Sequence, residues 1–221
     1  MTIKSGKTSM GKTSTRRRGF SKEKILAIGT RLFAEQGYSA LSIRDIAAAC
    51  KVNIPSIYHF FGGKENLYDA CCDAAFANSA AKLNSSLVAV TGAKARVRQF
   101  TITLSEILLE NQDFRRLLLH EIIMRDESRH YDQLTTHFFV KEFRMLVNEI
   151  AELQGAAQAS EHAFSIYALT FGLIILQRIA EVARVDASPA LNFTQLAERV
   201  LSIVLPHQTW AVERPAKPPR R

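Results

Sequence analysis

Apolar residues recur at intervals of three and four along most of this chain, and no stretch alternates between apolar and polar positions as a half-buried strand does. The pattern therefore predicts an all-α protein. The predicted helices cover approximately residues 21–36, 42–50, 55–61, 64–84, 93–111, 113–123, 129–154, 160–184 and 193–205. Glycine or proline separates several of them, at Gly37, Gly92, Gly155 and Pro189.

Two short helices near the N-terminus carry clear start signals. Ser42 stands three residues before Asp45, which is the spacing of a capping box, and Leu41 with Ile46 forms a hydrophobic staple around it. Asn53 is a favourable cap for the next helix. A tight turn between two such helices predicts a helix-turn-helix, whose second helix enters the DNA major groove.

The second of these helices is short and has a distinct outer face. Pro55 fits a first helical turn and biases Ile54 away from the α region, so the helix is expected to start at Pro55. Ile57, Phe60 and Phe61 are predicted to point inward together. Side chains able to touch base edges and phosphates occupy the outward and flanking positions. They are Pro55, Ser56, Tyr58 and His59.

Basic charge is concentrated at the same end of the chain. Residues 1–64 carry 12 Lys and Arg against 3 acidic residues, whereas residues 65–206 carry 13 against 17. Residues 207–221 are again basic, with 4 against 1. A basic head on a mildly acidic body suits a nucleic-acid-binding protein. Lys64 opens a helix after Gly62-Gly63, and a helix N-terminus with a lysine is a suitable phosphate site.

Several short motifs between residues 20 and 68 occur together in one known family. They are Leu32-Phe33, Gly37-Tyr38, Ser42-Ile43-Arg44-Asp45-Ile46-Ala47, Val52, Ile57-Tyr58-His59-Phe60-Phe61 and Lys64-Glu65-Asn66-Leu67. With them the segment resembles the TetR family of transcriptional regulators. Two positions depart from the family pattern: Pro55 stands where a small residue is common, and Gly63 where a Ser, Asn or Asp cap is common. The resemblance implies DNA binding as a dimer, with residues 64–84 coupling ligand binding to the spacing of the two heads.

These observations together define four segments and one set of DNA contacts. Residues 1–19 are predicted to be a disordered basic arm, 20–66 the DNA-binding domain, 67–206 a helical ligand-binding and dimerisation domain, and 207–221 a disordered basic tail. The arm can reach phosphates or the minor groove. The predicted DNA-binding residues are Arg16, Arg17, Arg18, Ser42, Arg44, Asn53, Ile54, Pro55, Ser56, Tyr58, His59 and Lys64.

A cluster of aromatic residues in the middle of the chain predicts a hydrophobic effector pocket, because helical bundles commonly hold ligands between their helices. A helical core would show the same cluster. The predicted lining residues are Phe100, Leu104, Leu118, Tyr131, Phe138 and Phe171, with Glu121 or Arg125 as the polar anchor.

Motifs for other chemistry are weak or missing in the sequence. Cys50, Cys71 and Cys72 lack metal-ligand spacing and read as buried thiols, and His130 with His137 is only a weak metal signal. No nucleophile–base pair or phosphate loop is evident, so no catalytic residue, cofactor or metal is predicted. The 14-residue apolar centre of 160–184 is too short for a membrane span, and no signal peptide is evident. A cytoplasmic protein is expected.

The helices at 160–184 and 193–205 are predicted to form a two-fold dimer, because the first is apolar on more faces than one chain can cover. The leading interpretation is a ligand-responsive regulator that binds an inverted repeat on double-stranded DNA and a small hydrophobic effector. The resemblance favours a repressor over an activator. A helical enzyme or carrier and a nucleoid-type protein without sequence preference are the alternatives.

Overall fold

The computed structural model describes residues 22–123, 134–183 and 192–210. Within these ranges the chain is helical and has no strand, which confirms the predicted all-α class. The helices are α1 (Lys22–Ala40), α2 (Ile43–Cys50), α3 (Ile54–Phe61), α4 (Lys64–Leu87), α5 (Ala93–Glu110), α6 (Gln112–Ile123), α7 (Leu134–Gln154), α8 (Ala159–Ala183) and α9 (Phe193–Val204).

The helices form a small reading head and a larger body. The reading head, residues 22–67, packs α1, α2 and α3 against the start of α4. Its buried centre is apolar and consists of Ile25, Phe33, Ile46, Ile57 and Leu67. In the body, residues 68–210, α5 is the central helix and contacts α4, α7, α8 and α9. Helix α4 therefore belongs to both parts and joins them.

Several predicted helix boundaries are confirmed and others shift. Gly37 adopts a left-handed φ of 76° and interrupts α1, as its position predicted. Helix α6 begins at Gln112, because Asn111 Oδ1 accepts a hydrogen bond from the Phe114 amide at 3.0 Å. Asp113 therefore lies in the first turn and is not the cap. Ser160 likewise lies inside α8. Both helices therefore begin one residue earlier than the sequence predicted.

The predicted boundary between the body and a disordered tail at residue 206 is wrong. Trp210 is buried, with 4% of its surface exposed, and its Nε1 donates a hydrogen bond to the Leu205 carbonyl at 3.1 Å. The Arg98 guanidinium donates to the Trp210 carbonyl at 3.2 Å. The large apolar surface of the tryptophan and these hydrogen bonds together hold this segment against the body. Residues 211–221 lie outside the described part of the chain.

Helix α8 is buried on one face only in the single chain. Ala163, Ile166 and Ile174 are buried, whereas Leu176 and Ile179 are 62% and 57% exposed. One chain therefore leaves part of the apolar surface of this helix uncovered, in agreement with the prediction that it is apolar on more faces than one chain can cover. By length and composition the 18-residue window Ala159–Leu176 is also sufficient to cross a membrane, although the core helix of a soluble protein passes the same test.

Helix α6 links the body to the reading head through two consecutive residues. His120 packs on Gly37, where an added Cβ would lie 3.3 Å from the imidazole Cε1. Glu121 accepts a hydrogen bond from the Tyr68 hydroxyl, with 2.5 Å between the oxygen atoms. The Tyr68 ring stacks edge-on against Phe33 at 4.9 Å between centroids, and burial raises the pKa of its hydroxyl. A movement of α6 would therefore change its direct contacts with α1 and α4.

Candidate nucleic-acid interface

Helix α2 begins with the capping box that its sequence predicts. The Ser42 Oγ accepts a hydrogen bond from the Asp45 amide at 3.2 Å, and Asp45 Oδ2 accepts one from the Ser42 amide at 3.0 Å. A hydrogen bond that the Ser42 hydroxyl donates to Asp45 Oδ2, together with the one from the Ser42 amide, lowers the pKa of the Asp45 carboxyl from its ordinary value. Leu41 and Ile46 are both buried, as the staple requires. Arg44 follows on the exposed side of the first turn.

The turn that leads to α3 is short and tightly bonded. Lys51 adopts a left-handed conformation with φ of 56°, and its amide donates to the carbonyls of α2. Asn53 then caps α3, its Oδ1 accepting from the Ser56 amide at 3.0 Å. The helix begins at Ile54, one residue earlier than predicted. Pro55 is its second residue, where the missing N–H costs no helical hydrogen bond.

The outer face of α3 is formed by the residues predicted to touch DNA. Pro55, Tyr58 and His59 are exposed, Tyr58 by 52%, while Ser56 is half-buried. Two capping side chains, Ser42 and Asn53, are exposed at the adjoining helix starts. The side chains therefore lie on one accessible surface that includes the N-terminal ends of α2 and α3.

One predicted orientation in α3 is wrong. Ile57 and Phe61 are buried at 0% and 7% exposure, but Phe60 is 39% exposed. Because Ile57 and Phe61 are four residues apart, they set the inner face, and Phe60 lies about 100° around the helix from Phe61. The centroid of the Phe60 ring lies 5.4 Å from that of the His59 ring, so Phe60 extends the accessible surface. The sequence alone could not show that Phe60 is exposed, because two adjacent phenylalanines both have the apolar character of core residues.

Lysines border this surface on two sides. The Lys64 ammonium lies over the Tyr38 ring, 4.2 Å from its centroid, at the start of α4. The Lys22 ammonium lies 5.5 Å from the Phe61 ring centroid, and Lys51 is exposed in the turn. The sequence interpretation named Lys64 but not Lys22 or Lys51. The predicted contacts Arg16, Arg17 and Arg18 lie outside the described residues.

Known proteins resemble this end of the chain in sequence. Residues 25–71 match the family model described as bacterial regulatory proteins, tetR family. The N-terminal domain belongs to the TetR family. An HTH-type transcriptional repressor of Mycobacterium tuberculosis is 51% identical over 49 residues. That match covers 22% of this chain and 26% of the relative, so it concerns the TetR domain alone.

Solved structures extend the likeness beyond the TetR domain, at the level of the fold. The transcriptional regulator FadR of Bacillus subtilis, in complex with stearoyl-CoA, has a TM-score of 0.66 at 13% identity. The likeness covers 83% of this chain and 97% of FadR. AibR, in complex with isovaleryl coenzyme A and operator DNA, has a TM-score of 0.64 at 20% identity, with coverages of 83% and 97%. At these identities the likeness shows the fold and no more.

The structure describes the side chains of five of the eight residues predicted to line an effector pocket, and the lining itself stays a prediction. Phe100, Leu104 and Leu118 are core residues, at most 1% exposed, and Glu121 is bonded to Tyr68. Phe171 is half-buried on α8. Open grooves among the described residues include two of about 470 and 580 Å³, and neither is lined by Phe100, Leu104, Leu118, Glu121 or Phe171. Arg125, Tyr131 and the side chain of Phe138 lie outside the described part of the chain.

Proposed function

We propose that this protein is a transcriptional regulator that binds double-stranded DNA with α3 in the major groove. The observation that carries the proposal is the outer face of α3, where His59 and Tyr58 are exposed beside the cap Asn53. Side chains of this kind can reach base edges, while the lysines around them neutralise phosphates. Lys64, Ser42 and Arg44 are proposed as phosphate contacts, and Pro55 and Ile54 as apolar contacts beside the bases.

The protein acts as a homodimer in this proposal. An apolar stripe runs along the outward face of α8, with Phe164 at 67% exposure, Leu176 at 62% and Ile179 at 57%, and Ile203 on α9 is 56% exposed. Monomeric proteins seldom expose so large an apolar area. Packing α8 and α9 against their two-fold copies would cover it and pair two reading heads on an inverted repeat. The 470 Å³ groove includes Ile179, so it opens on the same face.

An effector bound in the body would regulate DNA binding through α6. Because His120 and Glu121 contact α1 and α4 directly, a displaced α6 would change how the reading head is held. Repression that the effector relieves is the form of regulation we propose. The cellular compartment that follows is the cytoplasm, where the DNA lies.

Selection from a random pool of duplexes tests the DNA-binding proposal. The protein should enrich an inverted repeat whose half-sites are separated by about one helical turn, roughly 34–36 Å. Its affinity for that duplex should fall steeply with salt concentration as counterions are released. Enrichment of no sequence, or equal binding to random competitor, would contradict it in favour of a protein without sequence preference.

Light scattering tests the dimer separately. At micromolar concentration the wild type should show twice the chain mass of 24.7 kDa. Ile179→Glu should shift the mass toward the monomer, because it places a charge in the centre of the proposed interface. Val88→Glu is the matched control at an 85% exposed position at the end of α4, and it should leave the dimer intact. A wild-type monomer would contradict the dimer and the inverted repeat together.

A further inference from the structure

A single carboxylate is buried inside the body where α4, α7 and α8 meet. Glu142 of α7 is 2% exposed, and its Oε1 accepts a hydrogen bond from the Asn84 amide nitrogen at 3.3 Å. Its Oε2 is enclosed, and no described residue donates a hydrogen bond to it. Glu142 also has no ion-pair partner among the described side chains. Because a buried carboxylate oxygen without a donor is costly, proteins rarely keep one unless something binds there.

Aromatic rings adjoin this carboxylate. The ring centroid of Tyr167 lies 5.9 Å from that of Phe100 and 6.0 Å from that of Phe143, the residue after Glu142. Burial raises the pKa of the Tyr167 hydroxyl, and the negative charge of Glu142 raises it further, so the two groups lie within electrostatic reach. Aromatic faces attract cations, most strongly where water is excluded. The surroundings of Glu142 therefore favour a positively charged, largely apolar guest.

Three buried hydroxyls of the body are already bonded within their own helices. The Thr101 hydroxyl donates to the Val97 carbonyl at 2.9 Å, and the Ser105 hydroxyl donates to the Thr101 carbonyl at 2.8 Å. On α8, the Thr170 hydroxyl donates to the Ile166 carbonyl at 2.6 Å. These hydroxyls need no ligand. Glu142 Oε2 differs from them, because no described residue donates a hydrogen bond to it, and it could therefore orient a ligand.

We propose that Glu142 is the polar anchor of the effector site, and that the effector is a hydrophobic amine. Its ammonium would donate to Oε2 and lie against the rings of Tyr167 and Phe143. An ammonium supplies the missing donor and the opposite charge at once, whereas an acid or an acyl-CoA would add a second negative charge in a poorly solvated place. The assignment rests on the proposed function, because it names the ligand to which that regulator responds.

Calorimetric titration of the full chain without DNA tests the assignment. The probes are decylamine, decan-1-ol and decanoate, each below its critical micelle concentration, so that the chain is constant and only the head group varies. The wild type should bind decylamine saturably and at least tenfold more tightly than either of the others. Glu142→Gln keeps the shape and removes the charge, and it should weaken decylamine binding at least tenfold. Glu152→Gln, at an exposed position of the same helix, should change nothing.

Three results would overturn the assignment. They are no saturable binding of decylamine, equal or tighter binding of decanoate, and an unchanged affinity in Glu142→Gln. A thermal melt shows whether Glu142→Gln is folded, and we expect it to melt at or above the wild-type temperature because it relieves a buried charge. If Glu142→Gln fails to fold, Tyr167→Leu and Phe143→Leu, which each remove an aromatic ring, must weaken decylamine binding instead. Since no DNA is present, these results are independent of the selection experiment that tests the regulator itself.

Discussion

The reading head and the body are both helical, but different interactions fix their structures. In the reading head, local signals determine where helices begin: Ser42 and Asn53 cap α2 and α3 through bonds that span three residues. In the body, α5 is buried on nearly all sides, and hydroxyls such as Thr101 and Ser105 lie at 0% exposure in its interior. Contacts between distant helices determine the structure there. A short stretch of sequence therefore specifies the reading head but does not specify the body.

Known proteins show the same division. The reading head shares 51% identity with a mycobacterial repressor over 49 residues, whereas the body is matched only as part of a fold at 13–20% identity. A DNA-reading surface must satisfy the fixed geometry of the double helix, while a body need only hold a pocket and a dimer face. The properties that distinguish this protein from the proteins it resembles should accordingly lie in the body.

The largest effect should come from the small core of the reading head. Ile57→Ala removes a fully buried side chain of an eight-residue helix and should lower the free energy of unfolding by about 2–5 kcal/mol. Val88→Ala, at an 85% exposed position, should change it by less than about 0.5 kcal/mol. Urea titrations followed by circular dichroism measure both. Equal effects would mean that the inner face of α3 is misassigned.

The next largest effect should be a loss of DNA affinity in a variant that folds normally. His59→Ala should weaken binding to the selected duplex by about 1–3 kcal/mol and relax specificity at one base pair. His207→Ala, an exposed histidine of the body, should leave the affinity unchanged. Mobility-shift titrations at one salt concentration compare them. If the two histidine variants bind alike, α3 does not read bases through this face.

A smaller loss should follow from removing one cap. Ser42→Ala deletes the acceptor for the Asp45 amide and should destabilise the reading head by about 0.5–2 kcal/mol. Ser202→Ala removes a hydroxyl that only donates to its own helix in α9, and should cost less. The comparison in urea shows whether a helix cap of the reading head contributes more to stability than a hydroxyl inside a helix of the body. A greater loss for Ser202→Ala would reverse the distinction.

The smallest effect concerns pH. The pKa of Asp45 is lowered from 3.8 by its hydrogen bonds to Ser42, so the folded state favours the carboxylate. Its contribution to stability is present above the unfolded pKa and is lost as the pH falls through the lower folded value. Asp45→Asn should therefore show a slightly weaker loss of stability than the wild type between pH 5 and pH 3. Parallel curves for the two proteins would show that this carboxylate contributes nothing.

The sequence predicted those features that depend on neighbouring residues. The capping box at Ser42, the cap Asn53, the left-handed Gly37 and the outward Tyr58 and His59 all follow from spacings of a few positions. Phe60 was misplaced because a short helix has a narrow inner face, and two adjacent phenylalanines cannot both occupy it. The same reasoning chose Asp113 as a cap when Asn111 lay nearer to the free amides.

The proposed effector site could not be predicted from the sequence, because it depends on contacts between distant helices. Glu121 seemed a suitable anchor in the sequence, but its carboxylate accepts from Tyr68, 53 residues away. The sequence gives no sign that Glu142 is buried, since a glutamate within an amphipathic helix is usually exposed to solvent. Its burial follows from its position around the helix. Residues four and eight positions further on, Leu146 and Ile150, lie on the same face and are buried. Only the packing of α4, α7 and α8 around it reveals that it is enclosed.

The burial of Trp210 has a practical consequence for separating the two parts of the molecule. The sequence contains one tryptophan, and it lies against Leu205 and Arg98 in the body, within the segment that follows α9. Its intrinsic fluorescence therefore reports the environment of the body alone, while circular dichroism averages over every helix. A denaturation curve recorded by both signals would coincide if the reading head and the body unfold as one unit. Separated curves would give each part its own midpoint without a label or a truncation.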